Sequence, residues 1–332
     1  MQSLPCETQR SNAVSQTEAS LLLVVLYAGR LPNYFELFLR SAARNTSVRW
    51  ALLCDQRPAA ELPANVAWVP FSITDLENRA RARLGIRTRI EHPYKLCDFK
   101  PTVGMLYPEV VEGFDYWGHC DPDIIWGDIR SFTKLDKSSP LLKLQGSGAY
   151  SIYRNTDAGN SLFMLPHPWI SYRKVLSSPK NFSFDEWPGL WRVLEHHDVP
   201  RSNEMYMAEM LVGSRDLRLQ WGKNYREQVF FWQNGRLLRR FWGDCEGMDE
   251  FAYAHLQKRA FAPPQEPSDF ADFAIVPGRF VPLVNGTDVR ALARENCRSL
   301  VSNAMFALSR PARYLRSLRR FDRSLIRRHT KA

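Results

Sequence analysis

Asp121 and Asp123 stand two residues apart in DYWGHCDPDIIWGDI (115–129), at the end of an apolar, aromatic run. In extended backbone, side chains at i and i+2 point to the same side, so the two carboxylates are expected to share one face. Two negative charges placed that way are unfavourable unless a cation or a basic group neutralises them. A hard divalent ion suits them, because Mg2+ or Mn2+ accepts one or two carboxylates together with phosphate oxygens and water. Pro122 keeps the segment from continuing as a regular central strand. Asp128, after Gly127, either caps a helix or supports the site from behind.

The elements that would position this pair read as alternating strands and helices. SLLLVVLYAGRLPNYFELFLRSAARN is a buried strand, a Gly-Pro turn and an amphipathic helix; WALLCD is a second strand and NVAWVPFS a third, followed by a helix through LENRARARLGI. Such alternation implies a mainly parallel sheet with helices on its faces. Ligands of these sheets gather at the carboxyl ends of the strands, so Tyr27, Asp55 and Asp121 share one edge. PYKLCDFKPTVGMLYPEVVEGF reads as a helix broken by prolines, and LLKLQGSGAYSIYRN as a strand pair around a glycine-rich bend. PGLWRVLEHH and SNEMYMAEMLVG read as helical, and VFFWQNGRLLRRF as a hairpin turning at Asn234-Gly235. EFAYAHLQKRAF reads as one strand ending near His255.

With 332 residues, 45% hydrophobic and 24% charged, the chain has the composition of a soluble globular protein with a substantial core. Most of its ten tryptophans are expected in that core. The net charge of +10 is confined to residues 289–332, which hold twelve basic and two acidic side chains, and the rest balances to zero. Six scattered cysteines without a C-x-x-C pair suit a reducing compartment. The longest apolar run, Leu21 to Ala28, is far short of the ~20 residues that span a bilayer.

PYKLCDFKPTVG, then FDYWGHCDPDIIWGDIRSF, YSIYRN, FDEW, GRL and AYAHLQKR, resemble a family of bacterial glycosyltransferase-like proteins found in capsule and lipopolysaccharide gene clusters. The resemblance covers about Leu21 to Phe261. It implies an α/β fold of the GT-A type: a Rossmann-like nucleotide-sugar domain with a mixed central sheet and a D-x-D metal site. The implied reaction is transfer of a sugar, a hexose by expectation, from a nucleotide-diphosphate donor such as a UDP-sugar, with Mn2+ or Mg2+ on the diphosphate. Asp121 and Asp123 would be the D-x-D pair and His255 would complete the metal shell. Lys258 would steady the leaving diphosphate; Lys95 and Asp98 would hold the donor sugar or else form an ion pair at i and i+3. Asp185 and Glu186 are candidates for the acceptor side, one of them as a base. Gly-Ser-Gly-Ala (146–149) departs from the histidine-rich stretch expected of relatives.

The expected organisation is a loose leader (1–19), a glycosyltransferase-like domain (20–288) and a basic amphipathic helical tail (289–332). From Leu308 to Ile326 the wheel puts Leu315, Leu318, Phe321 and Leu325 on one half and most arginines on the other. Such a helix can lie on an anionic membrane, each basic residue contributing ~1 kcal/mol, or dock on the protein body with its basic face in solvent. The expected location is cytoplasmic, peripheral to a bacterial inner membrane, with a saccharide or lipid-linked saccharide as acceptor. Nucleic acid is not an expected partner, because the body is neutral and no reader fold is present. The alternatives are a non-catalytic sugar- or nucleotide-binding scaffold on the same fold and a metal-dependent phosphoryl transferase.

Overall fold

A computed structural model describes residues 18–202, 204–212, 214–257, 259–262 and 271–296. Its first layer is a six-stranded mixed sheet built from β1 (Leu21–Tyr27), β2 (Val48–Cys54), β3 (Val66–Pro70), β4 (Tyr116–Cys120), β6 (Lys143–Ser147) and β7 (Tyr150–Arg154), in the order β3-β2-β1-β4-β7-β6. β3, β2, β1 and β4 are parallel, while β7 and β6 are antiparallel to their neighbours. β1 is covered on both faces, which is why LLLVVLY shows no polar alternation. Leu22, Val24 and Leu26 face one apolar layer with Phe99, Trp117 and Tyr153. Leu21, Leu23 and Val25 face the other with Phe38, Trp50 and Trp126.

Helix α1 (Phe35–Ala43) and helix α2 (Ile73–Leu84) cover the parallel half. Ser72 accepts from Asp75 N (3.0 Å) to cap α2, and Gly85, in the left-handed region at φ 63°, ends it. PYKLCDFKPT folds as a 3-10 segment, Pro93–Thr102, with Pro93 at its first turn and Pro101 inside it near its end.

The strands that complete the site come late. β5 (Ile124–Trp126), β8 (Met207–Glu209) and β12 (Tyr253–His255) make a small sheet in the order β5-β12-β8. β9 (Glu227–Gln233), β10 (Arg236–Trp242), β11 (Gly247–Phe251), β13 (Phe273–Val276) and β14 (Arg279–Pro282) make a five-stranded antiparallel sheet. The β9–β10 turn carries Asn234 at φ 50° and Gly235 at φ 81°, as the Asn-Gly pair predicts. Trp232 Nε1 donates to Trp126 O (2.8 Å) and ties the two later sheets together.

Two local expectations are corrected. SNEMYMAEMLVG contains strand β8 rather than a helix, because Met207–Glu209 pairs in parallel with Tyr253–His255. EFAYAHLQKRAF is two strands: β11 ends at Phe251, and after Ala252 the chain enters the small sheet as β12. The segment expected to open the tail begins with a helix, Val289–Glu295, that packs Leu292 and Ala293 against β9 and β13. The amphipathic stretch from Leu308 lies outside the described residues. At the other end Ala19 is buried, and the backbone of Glu18 pairs antiparallel with that of Asp136 in an isolated β-bridge.

Candidate metal centre and its acidic rim

β4 delivers Asp121 to the carboxyl edge of the main sheet, where Asp121 N donates to Ala149 O (2.9 Å). The backbone is not extended beyond that point. Pro122 and Asp123 form a turn into β5, so the shared face expected of the i, i+2 pair does not arise from strand geometry. It arises from pairing: β5 runs antiparallel to β12 with Ile124 opposite His255, and Leu256 N donates to Asp123 O (3.0 Å). His255 Nε2 thereby sits 3.3 Å from Asp123 Oδ1 and 3.7 Å from Asp121 Oδ2. One ligand atom from each of Asp121, Asp123 and His255 lies within 4.8 Å of the others. Asp123 and His255 are buried, while the Asp121 side chain is 23% exposed and gives the cluster its opening.

Behind His255 stands Glu209, opposite it in the β8–β12 pairing. Its two oxygens lie 2.9 and 3.0 Å from His255 Nδ1. Burial works against a charge on this imidazole, but Asp123 and then Glu209 hold its pKa well above the ordinary histidine range. With Nδ1 engaged by Glu209, Nε2 is the nitrogen turned toward the aspartates. Two carboxylates and one imidazole, with a carboxylate behind the imidazole, form a donor set that fits Mn2+ or Mg2+.

On the far side of Asp121 lies Lys100. Its Nζ is 2.6 Å from Asp121 Oδ1 and 2.8 Å from Asp185 Oδ2, and it donates to Gly148 O (3.0 Å). Burial opposes the ammonium charge, yet Asp121 and Asp185 together keep its pKa well above the usual lysine range. Burial pushes Asp185 up to about 7, and Glu186, which reaches solvent beside it, is also raised, first by partial desolvation of its carboxyl. For Asp185 the Lys100 charge pulls back; for Glu186 the charges of Asp121 and Glu209 add to the rise. The Gly-Ser-Gly-Ala bend runs beside these acids: a Cβ on Gly148 would lie 2.9 Å from Glu186 Cβ and 3.2 Å from Asp185 Oδ2. Only glycine leaves room for both. Nearby, Lys143 donates to Gln145 O (2.7 Å) and Ser151 Oγ (2.8 Å), and burial lowers its pKa to about 7. His119 is held neutral by its burial and by the charges of Lys100 and Lys143.

The remaining residues singled out from the sequence fall in three places. Tyr27, half-buried at the end of β1, donates to Arg30 O (3.0 Å). Its pKa is raised by burial and then by Asp123, Cys54, Asp121 and Asp55, so its phenol borders the same acidic edge. Asp55 accepts from Gly29 N at 3.0 and 3.1 Å and braces the ends of β1 and β2. Lys95 and Asp98 are wholly buried and face inward: Lys95 Nζ donates to Asp98 Oδ2 (2.7 Å), Val175 O (2.6 Å) and Lys180 O (2.7 Å). Asp98 accepts from Phe182 N (2.9 Å) and Phe184 N (2.8 Å), so this ion pair anchors the loop that carries Asp185. Lys258 lies outside the described residues. Asp128 caps the helix Ile129–Phe132 through Ser131 N (3.3 Å).

Sequence reading missed Lys100 and Glu209. Lys100 sits within DFKP, where its only signal was a lysine between an aromatic residue and a proline, and Glu209 was hidden in a segment read as helix. A cavity of about 680 Å3 lined by Gln233, Arg240, Glu246 and Asp272 lies on the five-stranded sheet and shares no residue with this cluster.

A family model described as a family of unknown function (DUF6625) matches residues 23–284. No curated protein matches the chain. Among solved structures, the crystal structure of a glycosyltransferase involved in the glycosylation of the major capsid of PBCV-1 aligns at 10% identity, over 58% of this chain and 86% of that one, with a TM-score of 0.31. At that level the likeness fixes neither fold nor activity. No helix among the described residues is long and apolar enough to cross a membrane.

Proposed function

We propose that this chain, which belongs to the family of unknown function DUF6625, is a GT-A-type glycosyltransferase using a nucleotide-diphosphate donor and Mn2+ or Mg2+. The observation that carries the reading is the convergence of Asp121, Asp123 and His255 within 4.8 Å at the carboxyl edge of the sheet. That edge lies beside β1, where the strand order reverses, and open α/β sheets take ligands in the crevice at such a point. Asp121, Asp123 and His255 are the residues to hold the cation. Bound there, a divalent ion supplies a Lewis acid for the diphosphate, offsetting the negative charge that grows as the bond to the anomeric carbon breaks.

The chain's own groups arrange the rest. Glu209 accepts a hydrogen bond from His255 Nδ1–H, so that the neutral imidazole would present Nε2 to the cation. Lys100 orients Asp121 and joins it to Asp185, linking the cation site to the acidic rim. Glu186 accepts a hydrogen bond from a sugar hydroxyl on that rim, and Asp185, held on Lys100, supports it from within. Tyr27 and Asp55 border the part of the crevice that takes the nucleotide, and Lys258 serves the leaving diphosphate. The acceptor is a saccharide or lipid-linked saccharide of a bacterial surface polysaccharide, met at the cytoplasmic leaflet through the basic residues beyond 289.

The purified full chain is incubated with UDP-glucose, UDP-galactose, UDP-N-acetylglucosamine and GDP-mannose, with and without Mn2+. Release of nucleoside diphosphate from at least one donor is expected, lost with chelator and in Asp123→Asn. A non-catalytic sugar-binding protein would bind donors and release nothing, and that outcome sinks the enzymatic reading.

A further inference from the structure

The ion pair of Lys95 and Asp98 holds two stretches of chain in fixed relation. Asp98 receives the amides of Phe182 and Phe184, and Asn181 Nδ2 donates to Tyr94 O (2.8 Å). The start of the 3-10 segment and the loop 181–187 therefore form one braced unit. Along that unit the groups run outward from the candidate metal centre in a graded order. Lys100 and Asp185 are inside, Glu186 is exposed, and Trp187 follows with 39% of its surface in solvent. Tyr94 is 49% exposed, and its carbonyl accepts from Asn181 at the start of the loop that carries Asp185 and Glu186.

Most of the large aromatic residues are in the core: Trp50, Trp117, Trp126 and Trp232 are all 1% exposed or less. Two exposed rings on the braced pair of segments that carries Glu186, one of them with the Arg192 guanidinium over it at 6.0 Å, are a different arrangement. A flat ring packs against the apolar C–H face of a pyranose, and a carboxylate beside it accepts the hydroxyls on the ring's edge. Because the backbone carrying these groups is already fixed, little ordering cost is left for binding.

We propose that Tyr94, Glu186 and Trp187 form the acceptor subsite, taking a neutral pyranose ring with its apolar face against the aromatic side chains and a hydroxyl on Glu186. The acceptor role rests on the transferase reading above; the sugar-binding site itself does not need the metal. Asp185, fixed on Lys100, supports the subsite from within and does not contact the sugar.

The test uses the full chain in chelator and a panel of methyl α- and β-glycosides of glucose, galactose, mannose and N-acetylglucosamine. Saturation-transfer NMR and tryptophan fluorescence report binding. At least one glycoside is expected to bind in the millimolar range, with saturation strongest on its ring C–H protons. Trp187→Ala and Tyr94→Ala should each weaken it about tenfold, or ~1.4 kcal/mol, while Trp187→Phe retains most of it. Asp123→Asn should bind the glycoside as the wild type does, which separates failure of this subsite from failure of the metal reading. Absence of binding across the panel, or equal binding by the wild type and both alanine variants, overturns the proposal.

Discussion

Replacing Lys100 with Met removes a cation from between two acids while nearly keeping side-chain volume. The Lys100 side chain is 4% exposed, with Asp121 Oδ1 at 2.6 Å and Asp185 Oδ2 at 2.8 Å. Those distances keep the two carboxylate oxygens within about 5 Å of one another, where at an effective dielectric constant of about 20 they repel by roughly 3 kcal/mol. Removing one partner of a buried ion pair costs ~3–5 kcal/mol in general. Burial already pushes Asp185 toward its neutral form, and a proton taken up there limits the loss, so ~3 kcal/mol is expected at pH 7.5. The penalty needs both carboxylates charged and therefore shrinks as pH falls. Urea denaturation of the wild type, Lys100→Met, Asp185→Asn and the double variant forms a complete cycle. The double variant should recover half or more of the loss, because Asn at 185 leaves Asp121 without its competitor. A loss under ~1 kcal/mol, or a double variant no better than Lys100→Met, would refute the charge-clamp reasoning.

Glu209→Gln keeps the shape behind His255 but no longer fixes its tautomer, and Mn2+ affinity by calorimetry should fall roughly 10- to 100-fold with the melting temperature little changed. Lys143 is brought down to about 7 by burial, below its unfolded value, so between about pH 7 and 10 the unfolded chain binds the extra proton and stability rises with pH. Lys143→Met should abolish that slope, measured as the difference in urea stability between pH 7 and 9, by roughly 2–3 kcal/mol. Removing the residues after Ser309 should release the protein from anionic vesicles in a flotation assay and leave donor hydrolysis unchanged.

The parallel half of the fold was legible because β1, β2 and β3 are apolar runs separated by helical periodicity and turn residues. The β9–β10 hairpin was legible because Asn234-Gly235 dictates its turn. The small sheet was not. Met, Glu and Ala favour helix locally, yet SNEMYMAEMLVG yields β8, since pairing with β12 outweighs a propensity of a few tenths of a kcal/mol per residue. Losing β8 meant losing Glu209, whose place behind His255 exists only through that pairing. Asp121 and Asp123 announced themselves by spacing. Nothing in spacing links them to His255, more than 130 residues later; that grouping came from the resemblance, and in the structure it depends on Ile124 lying opposite His255. Lys100 was missed for a related reason: lysine reads as surface, and only the fold brings Asp121 and Asp185 to it from either side.

The most direct measurement is a Mn2+ titration of the full chain followed by electron paramagnetic resonance, in the wild type and in Asp123→Asn and His255→Ala. One bound Mn2+ per wild-type chain is expected, its signal changed by UDP and lost in both variants. Mn2+ that never binds, or that binds both variants as tightly as the wild type, would contradict a cation held by Asp121, Asp123 and His255.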